Sequence, residues 1–117
     1  FCCHSIPSPN KLSTFDRTLL QRTPTEQDLA TDGSAHMMVW GRRHTQELAD
    51  ELASAWGVKV FVMGHQPADM GHEIEGDTML ILASNHTHGV ALPIDLARTY
   101  TRDELVDELM PLAAITL

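Results

Sequence analysis

The clearest hydrophobic pattern in the chain lies near its centre. Apolar side chains recur there every four positions, at Leu48, Leu52 and Trp56. This spacing places them on one face of an amphipathic helix, which Thr45 is suited to cap at its start and Gly57 to end. The apolar, largely β-branched run from Val58 to Met63 follows and predicts a buried strand.

A second apolar run, Ala35 to Trp40, precedes this helix and follows the turn residues Thr31–Ser34. Its length and its bounding turns predict another buried strand. Strand, helix and strand joined by short loops form a βαβ unit. We therefore expect the two strands to lie parallel in one sheet, with the helix covering a face of that sheet.

Shorter patterns predict the elements toward the two ends of the chain. They are strands at Phe1–Ser5 and Val90–Leu96, a hairpin over Glu73–Ser84, a loop over Lys11–Leu29 with one possible helical turn, and a helix that starts at Thr101 and stops before Pro111. The hairpin is expected to turn at Gly76-Asp77. Pro93 makes its strand an edge strand, because proline has no N–H to donate. The predicted fold class is α/β.

The net charge argues against two classes of partner. The chain has 117 residues, enough for one domain with a core, and its 16 acidic and 8 basic side chains give a charge of −8. Nucleic acids and anionic membranes attract basic patches, so we expect no nucleic acid binding and no membrane binding. No apolar run reaches the length of a transmembrane helix.

The two cysteines, Cys2 and Cys3, are adjacent. Neighbouring side chains on a strand point to opposite faces, so a disulfide between these two is not expected. We predict that both are small buried side chains with free thiols. Free thiols are typical of a reducing compartment, and a cytoplasmic location is therefore expected.

Histidines follow three of the predicted strands. They are His4, His65, and the pair His86 and His88. Ligands of α/β sheets collect beyond the carboxyl ends of strands, and neutral imidazoles bind zinc, iron and manganese well. Gly64 would let a ligand approach the backbone beside His65. A single histidine in such a position is more often a hydrogen-bonded structural residue, so both roles stay open on this evidence.

Arg42 and Arg43 are the only adjacent basic residues in the chain. The forked donors of arginine suit a phosphate group. Paired arginines at the end of an element are more often part of the solvated surface. The sequence leaves both interpretations open.

The order of these segments resembles the C-terminal half of the calcineurin-like metallophosphoesterase superfamily, most closely its phosphoprotein-phosphatase type. The segments that carry the resemblance are Phe1–Pro9 with its histidine, Met38–Trp40, Gln46–Trp56, Val58–Gln66 with its Gly-His-Gln turn, Gly71–Glu73 and Leu82–Gly89. They follow the family's order from Phe1 to about Ala97. The resemblance implies a β-sandwich flanked by helices, with a mixed sheet and one βαβ unit.

The resemblance also implies roles for individual residues. His4 and His65 would bind one metal of a centre that holds two divalent ions (Mn, Fe or Zn). Arg42 or Arg43 would bind phosphate, although the family's usual segment after the tryptophan is not reproduced. His86 or His88 would lie in the active-site loop, where the family has an aromatic residue, as a substrate contact, as a general acid or without a role. The activity implied is hydrolysis of a phosphorylated protein or small molecule by hydroxide that the metals activate.

Three further motifs of the family are absent from the chain. These are Gly-Asp-x-His, Gly-Asp-x-x-Asp-Arg-Gly and Gly-Asn-His-Glu; the single Gly-Asp here is Gly76-Asp77. We therefore expect residues 1–117 to be the C-terminal part of one domain, without its N-terminal metal-binding half and inactive alone. Two alternatives stay open: a non-catalytic scaffold or metal-binding module with a degenerate fold, and a mononuclear metal hydrolase built on His65 with His86 or His88.

Overall fold

The computed structural model describes residues 1–115. Its helices are α1 (Glu26–Leu29), α2 (Ser34–Trp40), α3 (Gln46–Trp56) and α4 (Arg102–Asp107). Its strands are β1 (Phe61–Met63), β2 (His72–Glu75), β3 (Met79–Leu82), β4 (Val90–Ala91) and β5 (Met110–Pro111). Short 3₁₀ helices lie at Pro9–Thr14, Leu19–Gln21 and Leu112–Ala114. The protein is therefore mixed α/β, and the predicted class is confirmed at that level.

The main sheet has the strand order β1-β3-β2, with β1 parallel to β3 and β3 antiparallel to β2. The predicted hairpin is thus confirmed as β2 and β3. Gln46 at the start of α3 accepts a hydrogen bond from the Asp77 main-chain N–H over 2.7 Å, which ties the helix to the hairpin turn. A separate small sheet pairs β4 with β5.

The helix predicted from the central hydrophobic pattern is confirmed as α3. The Thr45 hydroxyl accepts from the Leu48 N–H at its start, and Gly57 ends it with a left-handed φ of 65°. The core of the protein forms where this helix meets the sheet. Its fully buried members include Leu52, Phe61 and Ile81.

The strand predicted at Ala35–Trp40 is wrong, because these residues belong to helix α2. Met37 is buried, whereas Val39 and Trp40 are 40% and 56% exposed, so the run is one-sided rather than buried throughout. A short apolar run does not distinguish a strand from a helix by its pattern, and alanine and methionine favour helices. The predicted βαβ unit therefore does not form from this segment.

The N-terminal segment lies beside β1 without forming a full strand. Cys2 makes one isolated parallel bridge with Val62, and the Cys3 N–H donates to the Val62 carbonyl over 3.0 Å. The prediction of two buried cysteines is wrong for Cys2, which is exposed. Cys3 is partly buried, and burial raises the pKa of its thiol to about 12.

Three other boundaries differ from the predicted ones. The strand predicted at Val90–Leu96 is reduced to Val90–Ala91, since Pro93 cannot donate to a ladder. Helix α4 has a capping box at Thr101, where the start was predicted, but it ends at Asp107, before the expected stop. The predicted loop at Lys11–Leu29 contains 3₁₀ turns and α1. Within residues 1–115, no helix combines the length and apolar character needed to cross a membrane.

Candidate functional site

Two of the sequence-predicted histidines meet directly. The Nε2 of His4 lies 2.9 Å from the Nδ1 of His65, although 61 positions separate the two residues along the chain. The segment that carries His4 runs beside β1, and the His4 carbonyl accepts from the Gly64 N–H over 3.3 Å. The sheet therefore brings the two imidazoles together at the end of β1, as their positions after predicted strands indicated.

The turn that carries His65 has an uncommon backbone conformation. His65 has a left-handed φ of 64°, and the Gln66 N–H bonds to the Gly64 carbonyl over 2.8 Å, so the three residues form a γ-turn. A positive φ at a residue with a Cβ costs about 1–3 kcal/mol and is concentrated at functional sites. The surrounding contacts must therefore hold this turn in place.

Neighbours on two sides fix the orientation of His65. The Arg42 Nη1 donates to the His65 carbonyl oxygen over 3.2 Å. The Trp40 ring stands edge-to-face with the imidazole at a centroid distance of 5.3 Å. Both neighbours come from the end of α2 and the loop after it. Although α2 is a helix and not the predicted strand, its last residue, Trp40, and the loop residue Arg42 both contact His65.

The surroundings of His65 favour the neutral form of its ring. Burial lowers the pKa of His65, and the charges of Arg42 and His4 lower it further. Its Nε2 is buried and has no hydrogen-bond partner among the described residues. Only one of the two facing ring nitrogens can carry a proton in the contact with His4. A neutral imidazole is the form that binds a metal ion.

A cleft of about 600 Å³ opens beside this pair, and we call it the histidine cleft. Side chains from four segments line it, among them His4, Arg42, His65, Asp69, Asn85 and His86. His86 approaches from the loop after β3. Four of the six residues singled out from the sequence therefore share one cavity.

His86 is held by hydrogen bonds at both of its ring nitrogens. Its Nε2 lies 3.0 Å from the Ala68 carbonyl, which can only accept, and its Nδ1 accepts from the His88 N–H over 3.2 Å. Both ring nitrogens of His86 therefore have hydrogen-bond partners. The bond to Ala68 connects its loop to the segment that follows the His65 turn.

Arg43 and His88 do not line the histidine cleft. Arg43 is exposed and has a left-handed φ of 56°. His88 lines a different hollow, beside Met70 and His72. Arg42 of the arginine pair and His86 of the histidine pair are thus the members that line the cleft.

The chain has no match in the three comparisons made with known proteins. No protein-family model, no curated protein and no solved structure matches it. The chemistry of the site therefore has to be argued from its own geometry.

The donor set at the histidine cleft fits a metal ion in part. Two imidazole nitrogens converge, and the cleft beside them is open. Within residues 1–115, no three side chains of His, Cys, Asp or Glu form a group that could hold a metal ion. The described residues thus do not form the self-contained site that a mononuclear hydrolase on His65 would need.

His44 and Gln66 are positioned at the site but did not stand out in the sequence. The Gln66 Nε2 lies 3.1 Å from the Nδ1 of His44, directly behind the His65 turn. His44 sits in a loop with no motif around it, so its pattern alone carries no functional information. Gln66 belongs to the Gly-His-Gln turn, but the sequence indicates no role for it.

Proposed function

We propose that this chain takes part in metal-dependent hydrolysis of phosphoesters, as the C-terminal part of a domain of the metallophosphoesterase type. The contact between His4 and His65 is the observation that carries the proposal. The Nε2 of His4 and the Nδ1 of His65 lie 2.9 Å apart, so one ion could bind both rings when neither of these nitrogens carries a proton.

Two further features support a ligand role for the pair. His65 is held in a strained left-handed turn, which a purely structural histidine does not require. Its lowered pKa also favours the neutral ring at pH 7.

The rest of the proposed centre lies outside this sequence. Two divalent ions need hard oxygen ligands to balance their charge, and no carboxylate joins the His4–His65 pair within residues 1–115. We propose that an N-terminal metal-binding half supplies these ligands. The three-stranded mixed sheet would then be one part of the larger β-sandwich of that fold.

Each residue of the histidine cleft has a distinct part in the proposed reaction. When bound, a pair of Mn, Fe or Zn ions would lower the pKa of water and neutralise charge on the phosphoryl oxygens. His4 and His65 would hold one of the ions. Arg42 uses one N–H to hold the His65 turn, and its other N–H groups could bind a phosphoryl oxygen.

His86 is better suited to substrate contact than to proton donation. Its Nε2 is bonded to the Ala68 carbonyl, so it would have to break that bond before giving a proton to a leaving group. It would instead shape the wall of the cleft on which a phosphorylated protein or small molecule rests. His88 would support this position through its main-chain N–H.

A non-catalytic scaffold is the second candidate function. It is favoured by the direct hydrogen bond between the two imidazoles, which satisfies one nitrogen of each ring without an ion. In that case the pair would stabilise the junction between the N-terminal segment and β1. The γ-turn at His65 would then serve packing alone.

Phosphatase assays on the full-length protein distinguish these two candidates. Metal-depleted protein is supplied with Mn²⁺ and assayed with p-nitrophenyl phosphate. We expect the wild type to hydrolyse it and His4→Ala and His65→Ala each to lose nearly all activity. His72→Ala is the matched control, because this partly buried histidine lies outside the histidine cleft. Full activity in either of the first two variants would rule out the proposal.

A further inference from the structure

His44 lies between the two segments that carry His4 and His65. Its Nε2 is 2.9 Å from the Ile6 carbonyl oxygen and 3.2 Å from the Ser5 hydroxyl oxygen. A carbonyl only accepts, so this nitrogen carries the proton and donates it to Ile6. The other nitrogen, Nδ1, is then an acceptor, and it receives a hydrogen bond from the Gln66 amide over 3.1 Å.

The segment after His4 is packed tightly enough to act as a fixed support. Ser5 and Ile6 are fully buried, and the Ser5 hydroxyl donates to the Gly41 carbonyl over 2.7 Å. A Cβ added to Gly41 would lie only 1.6 Å from the Ile6 carbonyl oxygen. The backbone of the loop that carries His44 therefore packs directly against the residues that follow His4.

Gln66 faces β2 on its other side. Its amide lies beside the Glu75 carboxyl, whose pKa is raised by burial and partly lowered by this amide. Gln66 thus lies between His44, to which it is hydrogen-bonded, and β2. Since Gln66 directly follows His65, a shift of this amide would move the γ-turn and the imidazole it carries.

We propose that His44 and Gln66 are positioning residues, whose hydrogen bond sets the distance between the His4 and His65 imidazoles. This inference rests on the proposed function. Gln66 also lines the histidine cleft, but its bond to His44 acts on the backbone of His65, and the bond of His44 to Ile6 acts on the segment that follows His4. The link spans 38 positions from Ile6 to His44 and 22 from His44 to Gln66.

The expected effect follows from how tightly metal ligands must be held. Removing a group that orients a ligand weakens metal binding by about 10–100-fold. Because His65 occupies a strained φ, its turn would relax readily once the Gln66 anchor is lost. Substitution of His44 and substitution of Gln66 would each break the same hydrogen bond. Their effects on metal affinity should therefore not be additive.

The test measures Co²⁺ binding to the metal-depleted full-length protein by its visible absorption. His44→Ala and Gln66→Ala should each weaken Co²⁺ binding about tenfold or more. The double variant should be no weaker than the weaker single variant. His44→Asn can still accept from Gln66 but does not reach Ile6, and it should fall between His44→Ala and the wild type.

A control separates this role from a general loss of stability. Thr101→Ala removes the cap of α4, outside the histidine cleft, and should lower the stability of the protein. It should leave Co²⁺ affinity and the absorption spectrum unchanged. The spectrum is the readout that a merely structural role for His44 would not alter.

The results also separate this inference from the proposed function. If His4→Ala and His65→Ala abolish Co²⁺ binding while His44→Ala, His44→Asn and Gln66→Ala bind it as the wild type does, the positioning role is wrong and the metal site stands. Additive effects of the two positioning variants would likewise contradict it. If His4→Ala and His65→Ala bind Co²⁺ normally, the proposed function fails and the positioning role fails with it.

Discussion

Arg42 reaches across 23 positions of sequence to donate a hydrogen bond to the His65 carbonyl over 3.2 Å. The adjacent Arg43 is exposed and does not line the histidine cleft. Both arginines are exposed, but Arg42 is the one that lines the cleft and holds the strained turn. The sequence alone, in which the two arginines are adjacent, does not indicate this difference between them.

Substitution of the two arginines should give different kinetics. Arg42→Ala should lower kcat/KM for p-nitrophenyl phosphate about tenfold or more, because a charged donor to phosphate and the anchor of His65 are lost together. Arg43→Ala, the matched control, should stay within about twofold of the wild type. Equal effects of the two substitutions would show that Arg42 has no special place in the site.

Gly64 and Gly71 should respond differently to alanine. At Gly64 an added Cβ would meet nothing closer than 3.8 Å, whereas at Gly71 it would lie 2.0 Å from the His88 carbonyl oxygen at a φ of 90°. Gly64→Ala should therefore leave the free energy of unfolding unchanged or raise it by up to about 1 kcal/mol. Gly71→Ala should lower it by more than about 1 kcal/mol.

Urea unfolding of the two glycine variants measures this difference. A destabilised Gly64→Ala protein would contradict the described path of the chain at the end of β1. If it is stable but hydrolyses phosphoesters more slowly, the added methyl obstructs the cleft. That outcome would support the expectation that a ligand approaches the backbone beside His65.

Stability should fall on mild acidification because of His44. Burial lowers the pKa of His44 below its ordinary value of 6.5, so the unfolded chain binds this proton more readily than the folded protein does. Neutral His44 contributes its full stabilisation of the folded state above pH 6.5. This stabilisation is lost as the pH falls through the lowered pKa that His44 has in the folded protein. The slope is at most about 1.4 kcal/mol per pH unit for this one group.

Unfolding by urea between pH 7.5 and pH 5 checks the sign. The wild type should lose stability as the pH falls, and His44→Asn should lose less, because asparagine does not titrate. Identical pH dependence in the two proteins would mean that the pKa of His44 is not lowered by burial. His65 adds to the slope with the same sign in both, since burial lowers its pKa too.

Local patterns predicted the parts of the fold that local interactions determine. Helix α3 carries its own cap, apolar face and terminating glycine, and the β2–β3 hairpin carries its own turn. Helix α2 was missed because a six-residue apolar run fits a strand and a helix equally well. Its identity depends on packing, with Met37 turned inward and Trp40 left at the surface.

The candidate site divides in the same way. His4 and His65 could be found because each follows a predicted strand, and parallel strands bring their carboxyl ends to one edge. His44 could not be found, because its role depends on contacts with Ile6 and Gln66 that exist only in the folded chain. No feature of its neighbours in the sequence indicates those partners.

Titration of Mn²⁺ into the metal-depleted full-length protein, followed by calorimetry, tests the central claim most directly. The claim is that His4 and His65 bind one metal ion together. The account predicts that His4→Ala and His65→Ala each abolish the same binding event, while His72→Ala retains it. Unchanged Mn²⁺ affinity and stoichiometry in either cleft variant would contradict the claim and leave the pair as a structural hydrogen bond.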